Sequence, residues 1–247
     1  MNNVMRLVFT LLFIVLVFSA EAQKTYLNNR FLLERISSGN DMLSGTTGML
    51  SSLNSAPPGV VGDAFLRNYF SKTVFLLIDD QKVVSGFASK YDMLRDDFYL
   101  LQGNAIRVLP GIKVRNFSYV DSINQAQHHF INGSEFGLES GTPLSGFYEI
   151  LVDGPLALLK RTEAVVKEAD YHAALNVGSK DHRIIKTQSF FVADGKLLKP
   201  LPKGKLMPAL FAEYAEPIQK FIKVNQLDLR NESHLKAVFE QYYRLKK

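Results

Sequence analysis

The chain reads as mainly β, an antiparallel meander, roll or sandwich, with a C-terminal helical subdomain, α+β overall. Three observations carry this reading. Short β-branched and aromatic runs follow one another between residues 73 and 201, separated by turn dipeptides. Two of those dipeptides, Asp153-Gly154 and Asp194-Gly195, suit a two-residue hairpin turn, whose central positions need positive φ. After Pro202 the apolar spacing changes: Leu206, Leu210, Tyr214, Ile218 and Ile222 recur every fourth residue, which is one face of a helix.

The elements follow in order. Residues 73–78 and 83–89 make a first hairpin around a turn at 79–82. Residues 98–101 and 105–109 flank Gly103-Asn104, and Pro110-Gly111 breaks the second of these because proline offers no N–H. Residues 112–120 alternate, and 127–131 end at Asn132-Gly133. A Gly- and Ser-rich loop at 136–144 precedes a strand at 147–152, which returns through 155–167. Residues 183–192 and 197–201 form the last hairpin.

Pro217 inside the helical run would remove a hydrogen bond, so the run divides into 207–215 and 217–224, with Pro217 at the first position of the second piece. Asn225 suits a left-handed stop. Asn231 can cap a final helix whose stripe is Leu235, Val238, Phe239, Tyr242 and Leu245. The helices are expected to lie on one face or the open end of the β body. The expected division is a signal peptide at 1–22, a flexible lead-in at 23–62, an antiparallel β-rich body at 63–202 and C-terminal helices packed on it at 203–247.

The N-terminus reads as an export signal. Arg6 precedes an apolar run, 7–18, and Ser19-Ala20-Glu21-Ala22 ends in small residues at Ala-x-Ala spacing. Cleavage is expected between Ala22 and Gln23. The run is shorter than the roughly 20 apolar residues that span a bilayer. Arg6 and Glu21 leave together, so the net charge of +5 is kept. With no Cys, the chain has neither disulfides nor a thiol for lipid attachment. The expected location is periplasmic or secreted and outer-surface associated. A transmembrane barrel is not expected, because the strands are short and the chain ends in helices.

A basic pI invites a nucleic-acid reading, but the lysines and arginines are mostly interleaved with acids, and export argues against that partner. The exception is Lys196, Lys199, Lys203 and Lys205, which have no acid among them. They suit an anionic envelope polymer or head group, or else form a solvated connector.

The succession Tyr148-Glu149-Ile150-Leu151-Val152-Asp153-Gly154, Leu158-Leu159-Lys160-Arg161, Ala169-Asp170-Tyr171-His172, Asp194-Gly195-Lys196 and Phe239-Glu240-Gln241-Tyr242-Tyr243 resembles a group of uncharacterised exported proteins of the Bacteroidetes type. The likeness is clearest after Phe147, and the Ala22-Gln23 junction is similar to their usual cleavage site. It implies an envelope location and a β-rich body with a helical tail, and no activity or site residue. In such bacteria Asp121-Ser122-Ile123 looks like an O-glycosylation acceptor, with Ser122 the modified residue.

A search for chemistry is mostly negative. There is no Gly-x-Ser-x-Gly elbow, and Ser140 in Gly137-Leu138-Glu139-Ser140-Gly141 misses that spacing by one. No His-Glu-x-x-His, calcium loop or phosphate-binding glycine pattern occurs, so no metal and no cofactor is expected. His128 and His129 are adjacent in a strand and point to opposite faces, which reads as two strand-edge histidines. The best candidate is the polar connection 168–183. Asp170, Tyr171, His172, Asp181, His182 and Arg183 gather there between two long strands, where binding groups are commonly displayed.

The expected function is a non-catalytic binding or scaffolding module of the envelope, with an anionic envelope polymer or a protein as partner. One alternative is an envelope-polymer hydrolase using the Asp and His groups near 168–183. Another is a peripheral subunit that docks through the C-terminal helices, which an exposed apolar patch such as Phe239, Tyr242 and Tyr243 would favour.

Overall fold

The computed structural model describes residues 56–247 except 58, 80, 81, 138–143 and 173. The expected signal peptide, its cleavage site, most of the lead-in and Ser140 lie outside the described residues.

Among the described residues eleven strands form one mixed sheet. They are β1 (Val60–Val61), β2 (Ser71–Leu77), β3 (Val83–Asp92), β4 (Asp97–Gln102), β5 (Ala105–Pro110), β6 (Val114–Val120), β7 (Gln127–Asn132), β8 (Phe147–Val152), β9 (Leu156–Lys167), β10 (His182–Asp194) and β11 (Leu197–Pro200). The order runs β1-β10-β9-β8-β7-β6-β2-β3-β4-β5, and β11 adds to β10. Two meanders, β2 to β5 and β6 to β11, are joined where β6 pairs with β2. The strands pair antiparallel except β1, which lies parallel to β10. The two Asp-Gly turns join β8 to β9 and β10 to β11, as the sequence predicts. The end of the expected lead-in is therefore part of the sheet. Just beyond it Phe65 bridges Asp92, so one short segment contacts both β10 and β3.

The sequence alternation decides what each face buries. One face carries Phe75, Tyr91, Phe98, Phe117, Phe130 and Phe147. Phe117 and Phe130 stack at 4.4 Å, and Phe98 meets Phe117 edge-on at 4.8 Å, both favourable ring geometries. Burying each such ring contributes about 1.5–3 kcal/mol. Tyr148, one residue after Phe147, points to the opposite face with Leu159, Ala193 and Leu198.

Beyond β11, Gly204–Tyr214 forms a 3-10 run, followed by helices α1 (Ala215–Val224) and α2 (Glu232–Leu245). Met207, Phe211, Ile218, Leu235, Val238 and Phe239 pack over Leu158 and Val192, so the helices cover the β9–β10 part of the sheet. Three details differ from the sequence expectation. Residues 207–214 of the expected helix 207–215 are not α-helical, because Pro208 has no N–H and Ala212 sits at φ 48. Helix α1 starts at Ala215, which places Pro217 in its first turn but not at its first position. The left-handed residue after α1 is Gln226, not Asn225. Asn231 caps α2 as expected, accepting from the Ser233 N–H at 2.9 Å. Among the described residues no helix is long and apolar enough to cross a membrane.

Candidate functional site

The polar connection predicted as a site joins β9 to β10. From Thr162 onward β9 pairs with β10 and no longer with β8, so this end of the hairpin is an arm, with β1 beside its tip. The tip closes on itself: the Asp170 N–H donates to the Ser179 carbonyl and the His172 N–H to the Val177 carbonyl. The Asp170 carboxylate accepts from Lys167 Nζ at 2.7 Å and from the Ser179 N–H at 2.8 Å. Chiefly through the Lys167 hydrogen bond, its pKa is held down at about 2. Tyr171 donates to Asn176 at 2.9 Å, and Lys180 Nζ lies 4.7 Å from its ring centre.

The remaining loop residues are held by one side-chain bond and by backbone contacts. His182 Nδ1 accepts from the Ala169 N–H at 3.3 Å, and Arg183 stands in the ladder between Lys167 and Val61. The backbone of Asp181 meets the Ser179 hydroxyl. Asp170, His172, Asp181, His182 and Arg183 are exposed. Their hydrogen bonds run to neighbours, and among the described residues no acid of this loop meets one of its histidines. Among those residues, too, no group of three His, Asp or Glu is placed to hold a metal.

A denser constellation lies elsewhere. His128 and His129 do point to opposite faces, but His128 is no simple edge residue. Its Nδ1 is 2.6 Å from Glu149 Oε1, and its Nε2 is 3.2 Å from Arg67 Nη2. Arg67 donates to Asp121 at 2.6 Å, to Tyr69 at 2.8 Å and to Tyr119 at 2.8 Å, and Tyr69 donates to Asp121 at 2.8 Å. On the other side Lys160 Nζ bridges Glu149 at 2.6 Å and Glu232 at 2.8 Å. The chain of contacts therefore runs from Asp121 to the first turn of α2. His129, on the other face, meets the Ser118 hydroxyl at 2.8 Å.

The electrostatics of this chain follow from its geometry. Burial would raise the Glu149 pKa, but the His128 hydrogen bond and the Lys160 charge outweigh it and hold the group low. Burial would lower Lys160, but Glu149 and then Glu232 hold it high. Asp121 is lowered first by the Ile123 N–H, then by Tyr69 and Arg67. Each charge is thus matched by a neighbour in the network. The cavity beside Arg67, Tyr69, Ser71 and Tyr91 is about 20 Å³, the volume of about one water. Through Lys160, which bridges Glu149 and Glu232, the network ties the sheet to α2.

Ser122 is exposed in the turn after β6, with Asp121 beside it buried in the network. Phe239 and Tyr242 are buried against the sheet, and the Tyr243 hydroxyl is bonded to Leu156. The aromatic docking patch considered for the helices is therefore not on the surface.

A groove of about 830 Å³ runs along β10. Gln188 to Phe191 form one wall, residues 200–204 a second and residues 227–230 a third. Phe190, Leu201, Leu227 and Leu229 make it apolar, while Lys203 and Arg230 supply cations. Arg230 is held in a fork by Asp228 at 3.0 Å. The exposed Lys196, Lys199 and Lys205 flank the same segment as Lys203.

No family model, no curated protein and no solved structure matches this chain.

Sequence reasoning missed both the network and the groove. The network left one signal. Glu149 and Lys160 occupy alternate positions with Phe147 and Leu158, where the strand pattern calls for apolar side chains, and Glu149 pairs directly with Lys160 across the ladder.

Proposed function

We propose that this chain is an exported, non-catalytic binding module of the envelope, and that it engages an anionic partner through the groove along β10. The observation that carries the reading is the groove itself: an apolar wall of Phe190, Leu201, Leu227 and Leu229 with Lys203 and the Arg230–Asp228 pair at its margin. Apolar pockets with a few placed polar groups are the usual form of a binding site. The run from Lys196 to Lys205 extends the positive charge along one side, which attracts anions. The export signal read from residues 1–22 and the resemblance after Phe147 supply the location.

The hydrolase alternative is less well supported, because the Asp170 and His182 side chains are engaged with neighbours, the loop lies at the tip of an arm, and no acid of the loop meets one of its histidines among the described residues. The test is a thermal-shift titration of residues 23–247 with polyglutamate and with an anionic glycan, each against a neutral counterpart. We expect the anionic probes to raise the melting temperature and the paired substitution Lys203→Glu with Arg230→Glu to abolish the shift. No shift, or a shift indifferent to those substitutions, removes the groove from consideration.

A further inference from the structure

We propose that the open edge of β10 takes an extended acidic and aliphatic segment of a partner protein as an added strand. This rests on the groove reading above and names its partner class.

The ladder is the starting point. One side of β10 pairs with β9 without a register shift from Arg183 to Asp194. The other side holds β1 at His182 and Arg183, and β11 from Phe191 to Asp194. The last bond on the β11 side runs from the Leu201 N–H to the Phe190 carbonyl, 2.9 Å. Among the described residues, no strand pairs with β10 between these two flanks.

Local chemistry explains why both flanking segments leave. Pro202 has no N–H for the ladder, and Gly204, at φ +58, turns the chain away into the 3-10 run. At the other end Gly62 passes against Ile184, and Asp63 takes the Lys186 ammonium at 3.0 Å as the chain departs. Backbone groups alternate sides along a strand. Because the Phe190 carbonyl faces this edge, the N–H and C=O of Gln188 and Lys186 face it too. Residues 186–189 are all exposed.

Natural sheets blunt such an edge with proline, a bulge or an uncompensated charge. This stretch has no proline and no bulge, and its lysine is already matched by Asp63. An added strand obtains its affinity from main-chain bonds and its specificity from pockets for alternate side chains. Here the bare edge runs directly into the groove, where aliphatic side chains meet Phe190, Leu201 and Leu229, and acidic ones meet Lys203 beside the Arg230–Asp228 pair. Several residues of a peptide fit between the flanks at about 3.3 Å each.

The test uses a fluorescent, acetylated and amidated octapeptide alternating glutamate with valine, and the same peptide N-methylated at alternate residues. Binding to residues 23–247 is followed by anisotropy. We expect the plain octapeptide to bind, and the N-methylated form to bind at least about tenfold more weakly, since each lost main-chain bond weakens association by a factor of this order. Gln188→Pro removes an N–H on the open side and leaves the pairing of Thr187 and Ser189 with β9, so it is expected to weaken the plain octapeptide to the same extent.

Equal binding of both peptides overturns strand addition. If Lys203→Glu still weakens both, the groove reading survives alone. No binding of either peptide at millimolar concentration also overturns it. So does a concentration-dependent dimer broken by Gln188→Pro, which would show a second copy on this edge. Binding that appears only after removal of residues 23–55 would show that the chain's own segment occupies it.

Discussion

The Tyr243 hydroxyl and the backbone of Leu156 exchange two hydrogen bonds, donating to its carbonyl at 2.9 Å and accepting from its N–H at 3.0 Å. This fastens the last turn of α2 to the start of β9. Gly154, in the turn just before, sits at φ +148, and a side chain there would overlap the Tyr243 ring. The hairpin turn and the helix end are therefore one structural unit.

Tyr243→Phe removes both bonds and leaves two backbone groups of Leu156 without this partner. We expect a loss of about 1–3 kcal/mol, read as a lower urea midpoint at unchanged slope. Gly154→Ala is expected to cost at least as much, because it adds backbone strain to the overlap.

Lys160→Met breaks the link between Glu149 and Glu232, two acids that the lysine alone joins in this network. Removing one member of a buried charge pair costs about 3–5 kcal/mol. We expect the lower part of that range, since Glu149 keeps His128. The double variant Lys160→Met, Glu149→Leu should lose less than the sum of the two single losses.

The network also fixes the pH response. Glu149 and Asp121 are held below their ordinary values, so their contribution is present above about pH 4, where unfolded carboxylates ionise, and is lost as pH falls through the folded values. Lys160 is held high, so its contribution is complete below about pH 10 and is lost as pH rises through its folded value. Urea midpoints between pH 3 and 7 should fall steeply on the acid side. The variant Glu149→Gln with Asp121→Asn should start lower and show a shallower acid fall.

The loop 168–183 should be dispensable for binding. His172→Ala with His182→Ala is expected to change stability by less than about 0.5 kcal/mol, the range for exposed surface substitutions, and to leave the thermal shift with anionic probes unchanged.

The strands and their turns were legible because each depends on neighbours. Asp153-Gly154 and Asp194-Gly195 specify hairpins within a few residues, and the apolar alternation around Phe147 and Leu158 sets the faces. The 3-10 run was not legible, because its fourfold apolar spacing reads as α-helix, while Pro208 and the positive φ of Ala212 decide otherwise. The network escaped because its members are far apart in sequence: His128 and Glu149 are separated by 21 residues, Arg67 and His128 by 61, and Lys160 and Glu232 by 72. The loop 168–183 attracted attention by residue type alone, and its polar groups close on one another in the fold. The groove needs three distant segments to exist, so no local pattern announces it.

Hydrogen–deuterium exchange of residues 23–247 with and without polyglutamate tests the central claim most directly. The account predicts new protection at 184–190 and 227–230, with none at 168–181. Protection confined to 168–181, or none along β10, would contradict it.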